Sequence, residues 1–181
     1  MTFVGGSLSG AIHTIIVPIL NGIVAEPTEN YTVDLSGIVC TGSNSFTDSQ
    51  GLGTITDDDA YTISLAGFSV NETDTNDPHD FVATMSGEAQ SDVVISFTTT
   101  NGSAVATDFT AQTTVLYTIP HGTTSVNIPV TVLGDNIAEA VETFTGTITV
   151  SNDNGQPITI GTGTATGTIT DDDSYTISLA G

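Results

Sequence analysis

The chain contains one stretch of its own text twice. Residues 54–67 read Thr-Ile-Thr-Asp-Asp-Asp-Ala-Tyr-Thr-Ile-Ser-Leu-Ala-Gly, and residues 168–181 repeat them with a single change, Ala60 to Ser174. The offset is 114 residues. Self-similarity at a fixed period is the signature of a tandem array, so any fold must be built from a unit of about that length. A second alignment runs at an offset of 113. It sets Leu20 against Leu133, Glu26 against Glu139, Glu29 against Glu142 and Tyr31 against Phe144. One inserted residue in the last hairpin turns 113 into 114. The chain therefore divides into three pieces. Residues 1–59 read as the C-terminal half of one repeat, 60–173 as a complete repeat, and 174–181 as the first strand of the next.

Within the complete repeat every run of Thr, Val, Ile, Phe and Tyr is short and bounded by Gly, Asn, Asp or Pro, which is the pattern of strands and turns. No segment has a helical period. Strands are expected over 61–72, interrupted by a kink at Ala66-Gly67, and over 80–87, 92–99, 113–119, 124–133, 142–151 and 157–170. In the first half-repeat, 11–20 and 31–35 read as strands, with a turn at 41–45 and a run over 46–56 up to the first Asp triplet. Seven short strands in about 110 residues imply an all-β fold of tandem immunoglobulin-like antiparallel β-sandwiches, about 114 residues per repeat.

Charge sets the second constraint. The 181 residues include 21 Asp and Glu but no Lys or Arg, for a net charge of −21. Such a chain has no cations with which to bind phosphates, so nucleic acid is excluded as a partner. It has none to hold it on an anionic membrane, and no apolar run is long enough to span one. The hydrophobic fraction of 38% still permits a core. Most of the acidity is that of a solvated surface. Three adjacent carboxylates at 57–59 and again at 171–173 are different, because nothing in the sequence neutralises them. A hard divalent cation is the natural counter-charge, and Ca²⁺ takes six to eight oxygen ligands. Cys40 is alone, so no internal disulfide can staple the fold, and a metal ion is the usual substitute. The three histidines, His13, His79 and His121, lack zinc spacing. No nucleophile elbow or other catalytic motif is present, and the chain reads as non-enzymatic. Residues 1–7 have neither a basic region nor a long apolar run, so they are not a signal peptide, and any export signal lies outside this sequence.

The remaining acidic residues fall at particular places. Glu72 ends the first strand in Val70-Asn71-Glu72. Asp108 lies in Ala106-Thr107-Asp108-Phe109. Asp135, Glu139 and Glu142 share the run Asp-x-x-x-Glu-x-x-Glu-x-Phe from 135 to 144, and the triplet follows Ile169-Thr170. Loops of a sandwich collect at its two ends, and these positions fall at one end. Together the four segments resemble the Calx-beta repeat, a module of sodium–calcium exchangers and of large bacterial surface proteins. The resemblance covers essentially the whole chain. It implies an immunoglobulin-like sandwich with Ca²⁺ held by the distal loops. Carried over by position, the implied ligands are Glu72, Asp108, Asp135, Glu139, Glu142, Asp171, Asp172 and Asp173, with Glu26, Glu29, Asp57, Asp58 and Asp59 in the preceding half-repeat. The chain departs from the family where paired Asp residues are common, at Gly134-Asp135-Asn136, and at Asn21-Gly22-Ile23 it has no carboxylate at all. Fewer charges imply weak sites, with dissociation constants of roughly 10⁻⁴ to 10⁻³ M as in extracellular modules.

These features lead to an expected Ca²⁺-binding structural spacer of a long extracellular, bacterial surface or adhesin-type protein, its partners being neighbouring repeats of the same chain or filament. Two other readings stay open. One is an adhesive module that grips a glycan, ice or another cell. The absence of Trp and an aromatic content of 6% argue against sugar stacking. The other is a fibre subunit that polymerises by donating a strand.

Overall fold

The computed structural model describes residues 2, 11–40 and 44–181. The N-terminal reading at 1 and 3–7 and the turn at 41–43 lie outside the described residues. Eleven strands form among those described, and no helix. They are β1 (Glu29–Asp34), β2 (Gln50–Ile55), β3 (Tyr61–Ala66), β4 (Phe68–Asn71), β5 (Asp77–Met85), β6 (Val93–Asn101), β7 (Val115–Ile119), β8 (Ser125–Val132), β9 (Glu142–Asn152), β10 (Ile158–Ile160) and β11 (Thr164–Thr170).

Strands β3 to β11 make a sandwich of two sheets, ordered β10-β3-β5-β8 and β4-β11-β9-β6-β7. Alternation in the sequence decides which side chains lie between them. Phe81, Ala83 and Met85 of β5 and Ile128, Val130 and Val132 of β8 are buried from one sheet. Val93, Ile95 and Phe97 of β6 and Phe144 and Ile148 of β9 are buried from the other. Phe144 is the hub. Its ring stacks on Phe109 at 3.9 Å and 9° and meets Phe81 edge-on at 5.7 Å.

The first and last expected strands each break in two because each crosses between the sheets. The first crosses at Gly67, where β3 in one sheet becomes β4 in the other. The backbone there packs so closely on β11 that a Cβ would lie 1.9 Å from the Thr166 carbonyl oxygen, so only glycine fits. The last crosses at 161–163. Gly161 N–H donates to the Ile63 carbonyl in the β3 sheet, and the Gly163 carbonyl accepts from Ile148 N–H in the other. As a result β10 pairs parallel with β3, and β4 parallel with β11.

The β1–β2 hairpin repeats the geometry of β9–β11. Glu29 is opposite Ile55 and Tyr31 opposite Gly53, as Glu142 is opposite Ile169 and Phe144 opposite Gly167. In both hairpins the glycine makes room for the facing ring. A Cβ at Gly53 would lie 2.3 Å from Tyr31, and one at Gly167 would lie 2.7 Å from Phe144.

The strand expected over 11–20 does not form. Its counterpart at offset 113 is β8, which is held by eight pairs to β5. Nothing among residues 11–59 corresponds to β5, so the backbone of 11–20 has no ladder to join. Ile15, Val17 and Ile19 are 48%, 39% and 51% exposed, whereas Ile128, Val130 and Val132 are at most 3% exposed. Residues 174–181 likewise form no strand, although their copy at 60–67 contains β3. Tyr175, Ile177 and Leu179 lie exposed because no strand flanks them as β5 and β10 flank β3.

Candidate metal centre

Strand directions bring the acidic segments to one end of the sandwich. Strands β4 and β11 run parallel and end together, placing Glu72 beside the 171–173 triplet. Strand β9 runs the other way and starts there with Glu142. The loop from β8 to β9 supplies Asp135 and Glu139, and the loop from β6 to β7 supplies Asp108.

Local hydrogen bonds fix several of these groups. Asp108 is 7% exposed. Its Oδ2 accepts Val105 N–H at 2.6 Å, its Oδ1 accepts the Thr107 hydroxyl at 2.7 Å, and its carbonyl accepts Leu133 N–H at 2.9 Å. Asp171 Oδ2 accepts Glu139 N–H at 2.8 Å and its Oδ1 accepts Asp173 N–H at 3.0 Å, tying the triplet to the 133–142 loop. Asp135 Oδ1 caps that loop by accepting Ile137 N–H at 2.7 Å.

Two carboxylate groups come close enough to share an ion. Asp108, Glu139 and Glu142 present oxygens within 4.8 Å of one another, and so do Asp74, Asp172 and Asp173. Asp74 is absent from the ligands implied by the sequence. It lies in the 73–76 turn between β4 and β5, where an Asp reads as a turn former. Packing brings it to the site: Gly134 fits so tightly under this turn that a Cβ would meet the Thr73 carbonyl oxygen at 1.7 Å, and Gly134 N–H donates to Asn76 Oδ1. Glu72, Asp135 and Asp171 are not in either close group. Glu72 nevertheless belongs to the same electrostatic site, being 7% exposed and repelled by Asp135, Glu139 and Asp171.

The electrostatic consequence is a set of carboxyls that resist ionisation. Burial pushes the Glu142 carboxyl up to about 7, helped by its hydrogen bond to Asp108 and by repulsion from Asp108, Glu139 and Glu72. Glu72 is raised by burial and then by Asp135 and Glu139. Glu139 is raised by desolvation and by Asp108, Asp135 and Asp171, and Asp173 by desolvation and by Asp171, Asp172 and Asp74. The chain has no lysine or arginine to relieve this repulsion. Nine carboxylates at one end, all hard oxygen donors with no nitrogen or sulfur among them, fit Ca²⁺.

The acidic residues of the 26–59 segment assemble a smaller version. Asp57, Asp58 and Asp59 have oxygens within 4.8 Å of one another. Glu26, Glu29, Asp57 and Asp58 line one small recess of about 60 Å³. Glu26 N–H donates to Asp57 Oδ2 at 2.8 Å, the same bond that joins Glu139 to Asp171. Gly22 stands where Asp135 stands.

The fold is that of known calcium-binding domains. The apo-form Calx CBD1 domain superimposes with a TM-score of 0.53 at 19% identity, covering 64% of this chain and all of that one. The Calx CBD2 domain gives 0.53 at 13% identity over 61% of this chain and 86% of that one. The calcium binding domain CBD12 of CALX1.1 gives 0.52 at 20% identity, and here the match spans 44% of the longer chain. No curated protein matches by sequence. The Calx-beta domain model matches residues 55–173. That match takes in β3 to β11 and both close carboxylate groups at the distal end, and the chain belongs to the Calx-beta domain family.

Proposed function

We propose that this chain is a Ca²⁺-stiffened structural module from a tandem array of such sandwiches on an extracellular surface or adhesin-type protein. In this reading residues 1–59 end one repeat, 60–173 form a complete one and 174–181 begin another. The observation that carries it is the gathering of nine carboxylates at the end where one repeat meets the next, in a chain with no lysine or arginine. Without an ion these loops repel one another. The carboxylate oxygens of each close group lie within 4.8 Å of one another, so their charges repel directly. A bound Ca²⁺ turns repulsion into shared coordination. The triplet runs straight into the first strand of the following unit, so ordering the triplet also orients the neighbour.

The test is thermal. Millimolar Ca²⁺ raises the melting temperature, because an ion that binds only the folded state stabilises it by mass action. Mg²⁺ substitutes poorly, since it demands octahedral geometry and sheds water reluctantly. A melting temperature that is the same in Ca²⁺ and in excess chelator refutes the reading.

An adhesive reading has one observation of its own. The outer face of the five-stranded sheet aligns hydroxyls in rows: Thr98 beside Thr147 beside Thr164, and Thr100 beside Thr145 beside Thr166. A glycan or ice ligand would be met there by hydroxyls rather than by aromatic stacking. Thr147→Lys with Thr145→Lys would abolish such binding and leave the Ca²⁺ response unchanged.

A further inference from the structure

The distal end of the first unit is seated on the proximal end of the second. Ala25 is fully buried against Ala89 and forms a parallel bridge with it. Gln90 N–H donates to the Ala25 carbonyl at 3.1 Å, and Gln90 Nε2 donates to Glu26 Oε1, also at 3.1 Å. The Tyr61 hydroxyl donates to the Ile23 carbonyl. The receiving face is held in shape by Gln156, which is 2% exposed. Its Oε1 accepts Ser91 N–H at 3.0 Å, and its Nε2 donates to the carbonyls of Ser91 at 3.2 Å and Asp153 at 2.7 Å. Gln156 thereby locks the 88–91 and 153–156 loops into one surface.

The docking segment 23–27 has a copy at the other end of the chain. Ile-Val-Ala-Glu-Pro at 23–27 corresponds at offset 113 to Asn-Ile-Ala-Glu-Ala at 136–140. Both carry the small Ala that lets the backbones approach. Both carry the Glu whose N–H is tied to the first Asp of a triplet at 2.8 Å. The copy is uncovered: Ile137 is 54% exposed and Ala138 is partly exposed, where Ala25 is buried.

We propose that residues 136–140 form a docking edge whose partner is the proximal face, 88–91 with 153–156, of a following copy of the 60–173 unit. Ala138 takes the place of Ala25 against the incoming Ala89. The Ala138 carbonyl accepts the incoming Gln90 N–H, and Glu139 accepts the Gln90 side chain. Glu139 also belongs to the metal centre, so the dependence of docking on Ca²⁺ rests on the function proposed above, whereas docking itself does not. In that dependence Gln90 is a positioning residue. It holds the glutamate of the preceding unit without contacting the ion.

The experiment continues the chain past Asp173 with a second copy of residues 60–173, ligated so that only the added copy carries ¹⁵N. Hydrogen exchange is then followed at its Gln90 amide. In Ca²⁺ that amide is expected to exchange at least about tenfold more slowly than an open loop, and Ala138→Arg removes the protection while the added strands stay protected. An added Gln90 amide that exchanges freely beside protected strands overturns the proposal. In the 181-residue chain itself, Ala25→Arg must speed exchange at Gln90 by a similar factor, and an unchanged rate also overturns it. Chelator separates the two readings. Protection that survives chelation keeps the docking edge and removes its cation dependence, whereas protection lost on chelation supports both.

Discussion

Replacing Glu142 by Gln removes one charge from the most repelled group in the centre without changing its shape. The effect follows from the carboxyl's rise from 4.5 to about 7. Above pH 7 the wild-type side chain is ionised in both states, and only the folded state is penalised for it. At about 1.36 kcal/mol per pH unit the difference corresponds to roughly 3.4 kcal/mol as an upper bound. Glu142 is partly exposed, and solvent screening reduces this to about 1–2 kcal/mol. The sign is opposite to that of a salt-bridged acid. Between 4.5 and 7 the folded state holds a proton that the unfolded state has lost, so apo stability falls as pH rises through this window. Glu142→Gln should therefore stabilise the Ca²⁺-free protein at pH 8, raising its melting temperature by roughly 4–10 °C. The gain should shrink through the window and vanish near pH 4. In saturating Ca²⁺ the order should reverse, because under the proposed coordination the variant lacks one ligand. The assay is calorimetry of both proteins at pH 8 and pH 4, with chelator and with Ca²⁺. A variant less stable than wild type in chelator at pH 8 would refute the repulsion argument.

Three further outcomes follow. Asp172→Asn with Glu139→Gln should weaken Ca²⁺ binding at least about tenfold by titration calorimetry while apo stability stays level or rises, since ligand charge count tunes affinity. Asp74→Asn should also weaken Ca²⁺ binding, and unaltered affinity there would place the ion away from the 172–173 pair. Phe144→Ala should cost about 3–5 kcal/mol in denaturant unfolding whether or not Ca²⁺ is present, because it empties the centre of the aromatic core rather than the ion site.

Much of the architecture was legible because its signals are local. The alternation of Val93, Ile95 and Phe97 places β6, the glycine at 67 marks the break between β3 and β4, and the repeat offset alone aligns Tyr31 with Phe144. The close groups also drew on residues singled out in the sequence, Asp108, Glu139, Glu142, Asp172 and Asp173. What escaped depends on contacts between distant segments. Asp74 joins the centre only because Gly134 lets the 73–76 turn pack against the 133–135 loop, and a turn rich in Asp and Asn gives no sign of that from within. The crossing at 161–163 escaped for a similar reason. Its backbone serves one sheet on one side and the other sheet on the other, which no run of side chains records.

Residues 11–20 carry the argument one step further. Their apolar positions match those of β8, with Ile15, Val17 and Ile19 answering to Ile128, Val130 and Val132, yet one segment is a buried strand and the other is not. The pattern is the same and the partner differs, so the pattern specifies which face a strand would bury and the partner determines whether the strand exists. The same holds for 174–181 against β3. Strands β3 and β8 exist because β5 pairs with both, and β1 and β2 exist because each supplies the other's ladder. The carboxylates obey the same logic. The centre within residues 60–173 draws on the ends of β4, β9 and β11 and on three loops, whereas the 26–59 segment offers only what its hairpin and the residues before it carry. Its five carboxylates, Glu26, Glu29, Asp57, Asp58 and Asp59, should hold Ca²⁺ more weakly than the nine gathered within residues 60–173. Joining a copy of residues 60–112 ahead of residue 1 should give 11–20 a ladder and add the positions that correspond to Glu72, Asp74 and Asp108. Order in the strand and affinity in the metal centre should therefore appear together.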